Sequence, residues 1–292
     1  MKNMKYRIIA VLLALTTLVV AIPTTAFAVG EDAETEAAGG QENVNQITSR
    51  ETPEYLEVSD GYISVQVSTS NGGFYVGTEE GDVIIKSDND KHLMYNDSDF
   101  DTSFTTFRVT KAGQVTDYIF GRSYDHLGVE SSEVSVFLSA DNTIVAEWTV
   151  DQITFRQTIA LMGADTYQHG MAYVAYTATN HGSTAIESIE ARVLVDTALG
   201  DLDYGYYMLG QTDGSYVAVE EEKTFSGSEY SNYFFAYDNK TSPNVTAYTL
   251  NGTVGGEMIV PEKVTFAHWM DLASTVYDYT PSVENPTNFT QV

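Results

Sequence analysis

The chain has no cysteine. Disulfides and thiolate zinc sites are therefore excluded, and so is a cysteine nucleophile. It is also poor in positive charge, with 14 Lys and Arg against 41 Asp and Glu over 292 residues, a formal net charge of -27. Nucleic acid is excluded as a partner, because contact with phosphates needs a basic stripe. An anionic membrane surface would repel the protein as well. No nucleophile elbow, P-loop, dinucleotide fingerprint or H-E-x-x-H pair occurs. Long segments with a 3.6-residue apolar period are missing too, which disfavours parallel α/β folds and the nucleotide sites they host. Glycosidase chemistry needs two facing carboxyls. With 41 acids that requirement selects nothing.

The first 28 residues differ from the rest. Lys2, Lys5 and Arg7 precede an apolar run from Ile8 to Ile22, and the stretch closes on Ala26-Phe27-Ala28. A basic head, an apolar middle and a small-x-small end describe a secretory signal peptide, residues 1–28, cut after Ala28. The run is short for a spanning helix, which wants about 20 apolar residues. Without this leader, 11 basic and 41 acidic side chains remain, a charge of -30. The expected location is extracellular, secreted or at the cell surface, with no membrane contact beyond the leader. Residues 29–52 follow as an acidic linker with paired glycines and no aromatic residue. Such a segment buries too little apolar surface to offset the entropy of ordering, so it reads as disordered.

From about Tyr55 the period is two. Ile63, Val65 and Val67 alternate with Tyr62, Ser64 and Gln66. The same pattern runs through Val134, Val136 and Leu138. It returns in Ile144, Ala146, Trp148 and Val150, then in Ile153, Phe155, Ile159 and Leu161, and again in Ile189, Ala191, Val193 and Val195. Successive strand side chains point to opposite faces, so each run buries one face. Turn pairs separate the runs, among them Asn71-Gly72-Gly73, Asn180-His181-Gly182 and Asp213-Gly214. The expectation is an all-β fold: one large antiparallel β-sandwich over residues 53–292, with a short helix near Asp271 to Val276. The polar ending fits a freely secreted chain or, the favoured expectation, the front part of a larger surface protein.

Two acidic clusters invite a metal ion. Asp97, Asp99 and Asp101 alternate in YNDSDFDTSF. Asp196, Asp201 and Asp203 punctuate VDTALGDLD. Calcium takes six to eight oxygens, and alternating carboxylates supply three. Thr102 and Arg108 stand where an EF-hand loop wants Gly and Glu, so that motif fails. Solvated loops and Asx caps suit the same residues, and calcium is the one cofactor they suggest.

Twenty tyrosines are the other feature. Tyr204, Tyr206 and Tyr207 lie together, and Tyr230, Tyr233, Phe234, Phe235 and Tyr237 form a second cluster. A tyrosine has an apolar face and a polar tip, which suits the C–H face and hydroxyl edge of a sugar. Exposed tyrosine is also ordinary on the wet side of secreted β proteins. Of the five histidines, His268 beside Trp269 draws notice, placed on one strand face with Val264 and Phe266. It reads as a half-buried structural histidine or as an acid–base group. Tyr204, Tyr206, Tyr207, His268 and Trp269 are the candidate ligand-binding residues.

The stretch QTIAL, then YVAYTATNHGSTAIESIEARVLVDTALGD, resembles all-β modules of Gram-positive secreted surface proteins. NGGFYVGTEEGD, SFTTFRV and FAHWMDLASTVYDYT look like the same type, so the likeness covers roughly residues 55 to 285. The alternation is also similar to the supersandwich of galactose-mutarotase-like domains. That family's histidine acid and glutamate base match no motif here, and a fold likeness licenses no activity. The resemblance implies a non-catalytic module that binds a glycan or another surface polymer. The alternatives are a carbohydrate-active enzyme, mutarotase-like or glycosidase-associated, and a ligand-free structural spacer.

Overall fold

The computed structural model describes residues 11–17, 54–81, 86–95, 100–121, 133–162, 170–201, 205–211, 213–226, 229, 233–239, 246–251 and 262–281. In chain order the strands are β1 (Val11–Thr17), β2 (Tyr55–Ser59), β3 (Ile63–Ser68), β4 (Phe74–Thr78), β5 (Phe104–Lys111), β6 (Gln114–Ile119), β7 (Ser135–Leu138), β8 (Ile144–Val150) and β9 (Ile153–Met162). They continue with β10 (Met171–Asn180), β11 (Ile186–Leu194), β12 (Tyr206–Gly210), β13 (Tyr216–Val219), β14 (Lys223–Ser226), β15 (Tyr233–Tyr237), β16 (Thr246–Asn251) and β17 (Lys263–Phe266). One short α-helix, α1 (Trp269–Ala273), follows.

A nine-stranded sheet in the order β13-β12-β15-β16-β1-β10-β9-β8-β7 forms one layer. Three smaller sheets, β2-β3-β4, β11-β5-β6 and the ribbon β14-β17, accompany it. The protein is all-β, as its alternation demands. Pairing is antiparallel except at β1, which runs parallel to both β10 and β16. That strand lies within residues 1–28.

The β8-β9-β10 ladder shows how the core is written. Register places Ala146, Gln157 and Tyr176 side by side, and Trp148 beside Phe155. Their rings meet those of the sheet opposite. Phe107 of β5 stacks on Phe155 with centroids 4.3 Å apart and planes 12° apart. Tyr118 of β6 meets Trp148 edge-on at 6.4 Å. Such aromatic pairs add to the stabilisation of simple burial. At the other end of the large sheet, Phe225 and Phe266 of the ribbon pack on Tyr207 and Phe234. These groups all belong to one apolar core.

Three local expectations are corrected. Leu138, at the end of β7, the last described strand of its sheet, is exposed. The helix begins at Trp269, earlier than the sequence implies, and ends at Ala273. β17 stops at Phe266, so His268 is the N-cap of α1 and shares no strand face with Val264.

The outer face of β11 is half covered, with Glu190 exposed and Arg192 partly buried. Residues 269–281 form a strap across it. Arg192 donates from Nη1 to the Thr275 carbonyl at 2.6 Å and from Nη2 to the Leu272 carbonyl at 2.7 Å. Arg108 makes a two-pronged bond to Asp117 at 2.8 Å, pairs with Asp278 at 2.8 Å, and lies 3.9 Å from the Tyr277 ring centroid. Leu194 turns toward the strap and is buried with Ala267 and Leu272.

Candidate functional site

Alternation on β12, β13 and β15 sorts the aromatic clusters into two faces. Tyr207, Leu209, Val219 and Ala236 are buried on the inner face, with Phe234 packed beside them. On the outer face the register sets Tyr206 opposite Tyr237, and Met208 between Ala218 and Phe235. Tyr216 and Tyr233 complete it. The outer aromatics of β12 and β15 are half-buried, while Tyr216 is 48% exposed.

These rings form a continuous path. Tyr206 and Tyr237 are 5.8 Å apart between centroids, Tyr237 and Phe235 6.0 Å, Phe235 and Tyr216 5.2 Å, and Tyr216 and Tyr233 6.1 Å. Gly210 makes room within the path. A Cβ there would stand 2.6 Å from the Tyr233 ring, so the absent side chain lets that ring lie across β12. No Lys or Arg occurs in β12, β13 or β15. An uncharged ring-bearing ligand suits this surface. A polyanion finds no counter-charge on it and meets the acidic excess of the whole chain.

The five residues singled out from sequence do not share a groove. Tyr204 lies outside the described residues. Tyr206 is on the outer face. Tyr207 points the other way, 1% exposed, with its hydroxyl hydrogen-bonded to that of Thr197. Trp269 donates from its indole to the Thr102 carbonyl at 2.9 Å and packs with Leu194, Ala267 and Leu272. The His268 backbone N–H donates to Glu222 at 3.1 Å. Met208 and Tyr216 were missed. The odd positions of the Tyr233–Tyr237 strand carry the signal that would have found the face.

Asp97, Asp99 and Asp203 lie outside the described residues. Asp101 is exposed, and Asp196 is buried with its backbone N–H donating to Ser103 Oγ at 2.8 Å. Asp201 forms an ion pair with Lys91 at 2.6 Å. Among the described residues no group of three His, Asp or Glu side chains is placed to hold a metal ion. No helix among them is long and apolar enough to cross a membrane.

Signs of acid–base machinery are local. His92 is exposed and its Nδ1 lies 2.8 Å from the Tyr75 hydroxyl, while burial pushes Tyr75 up to about 12. Asp141 and Asp213 are held below the usual carboxylate range by the hydroxyls of Ser139 and Ser215, on exposed turns. A hollow of about 20 Å³ beside Thr105, Gln157 and Tyr176 has room for a water and little more. Compared with protein-family models, with curated proteins and with solved structures, the chain matches none.

Proposed function

We propose that this chain is an extracellular, non-catalytic module of the cell surface that binds a glycan, or a surface polymer with similar apolar ring faces, on the outer face of β12, β13 and β15. The observation that carries the reading is the ring path from Tyr206 through Tyr237, Phe235 and Tyr216 to Tyr233. Stacking of C–H faces on these rings supplies affinity. The phenol hydroxyls of Tyr206, Tyr216, Tyr233 and Tyr237 supply hydrogen bonds that orient the sugar. Rings held on paired strands are already ordered, which reduces the entropy lost on binding.

Export rests on the leader, residues 1–28. Its removal takes β1 out of the large sheet. β10 then keeps β9 and β16 keeps β15, so each half retains an antiparallel neighbour.

The test is a glycan array probed with the secreted chain and with a Tyr206→Ala/Tyr216→Ala/Tyr237→Ala variant. Binding by the first and its loss in the second, at unchanged fold by circular dichroism, supports the reading. A silent array, or a signal that the variant keeps, removes this face from function; a silent array leaves the spacer and the carbohydrate-active enzyme standing, and a kept signal places glycan binding elsewhere on the chain.

A further inference from the structure

β13 ends the large sheet, and among the described residues no strand pairs with its outer side. The Gln211 N–H donates to the Ser215 carbonyl at 2.8 Å, which fixes the phase of the ladder. In an antiparallel pair, residues alternate between bonding inward and outward. Ser215, Val217 and Val219 therefore bond toward β12. Tyr216 and Ala218 present their N–H and C=O groups away from the sheet.

Edges are ordinarily blunted by lysine, proline or a bulge. β13 reads Tyr-Val-Ala-Val and carries none of these. Tyr216 is 48% and Val217 41% exposed. Beside the edge lies a groove of about 460 Å³, within the range of about 300 to 1,000 Å³ found for ligand sites. Val217, Val219 and Phe225 form its apolar wall, with Lys223 resting 4.8 Å from the Phe225 ring centroid. Glu220 and Glu221 line one end.

We propose that β13 and this groove dock an extended peptide by strand addition. The occupant has small apolar side chains at alternate positions and a lysine or arginine at the end nearest Glu220 and Glu221. Its backbone bonds Tyr216 and Ala218. One side-chain row lies against Val217 and the stem of Lys223, and the other passes Tyr216. The two glutamates and the net charge of -27 select a cationic partner over an acidic one. This inference stands on the edge and the groove, independently of glycan binding.

The test uses the secreted chain and a fluorescein-labelled peptide of alternating threonine and valine with a lysine at each end. Saturable binding by fluorescence anisotropy is expected. Replacing the two lysines by glutamate weakens it at least tenfold. Ala218→Pro removes an outward N–H and no inward one, so it weakens binding by about tenfold, the worth of one good hydrogen bond. Its melting temperature stays close to that of the parent, because an edge strand tolerates a proline whose missing N–H faces away from the sheet. Val217→Asp, which places a charge in the apolar wall, weakens binding as well. Absence of saturable binding, equal binding by Ala218→Pro, equal binding of the glutamate peptide, or occupation of the edge by a second copy in sedimentation overturns the proposal.

Discussion

Tyr176→Phe deletes one oxygen from the centre of the core. The phenol bonds Gln157 Oε1 at 2.8 Å and Thr105 Oγ1 at 2.7 Å, while Gln157 Nε2 donates to the Gly72 carbonyl at 2.7 Å. The amide oxygen only accepts, so the single phenol proton goes to Gln157 and Thr105 must donate to the phenol oxygen. The chain of bonds thus ties β5 to β10, then to β9 and to the turn between β3 and β4. Gly72 holds that turn at φ +73°, where an added Cβ would strike Phe120. The phenylalanine variant leaves a buried donor and a buried acceptor without a partner, at about 1–3 kcal/mol each. The small hollow beside them admits a water, which sets the loss toward the lower end, about 2–4 kcal/mol. At roughly 2–4 °C per kcal/mol for a domain of this size, the melting temperature falls by about 5–15 °C. Urea titration and calorimetry of parent and variant measure it. A loss below about 1 kcal/mol, or a gain, refutes the directional network.

Gly210→Ala drives a methyl into the Tyr233 ring and displaces it. Shifts of the Tyr233 ring protons and weaker sugar binding, with the core intact, are the expected NMR result. Burial raises the ionisation of Tyr75 to about 12, and that of Tyr176 higher still. Both must stay neutral in the fold. The stability they contribute is full below the unfolded value of 10.0 and is lost as pH rises through the folded value. Absorbance at 295 nm should therefore show a late tyrosine transition coincident with unfolding. Arg192→Ala strips the donors from the Leu272 and Thr275 carbonyls. The strap should loosen, with new proteolytic cuts within residues 269–281 and a loss of about 2–3 kcal/mol.

The all-β class was readable because Ile144, Ala146, Trp148 and Val150, and their partners on β9, keep strict alternation against a single core. The same alternation in Tyr233, Phe235 and Tyr237 encodes the outer face, but adjacency of Tyr206 and Tyr207 drew attention to residues on opposite sides. The strap was hidden because its grip is non-local. Nothing in Glu190 or Arg192 shows that each meets a segment some 80 residues later. The role of β13 as an edge depends on sheet order, which period-two patterning does not specify.

Ring-proton NMR of the chain with labelled tyrosine, titrated with soluble uncharged oligosaccharides, bears most directly on the proposed face. The account predicts saturable shifts at Tyr206, Tyr216, Tyr233 and Tyr237 and none at the buried Tyr118, Tyr176 and Tyr207. Unmoved resonances throughout the series, or shifts confined to Tyr75 and Tyr95, would contradict it.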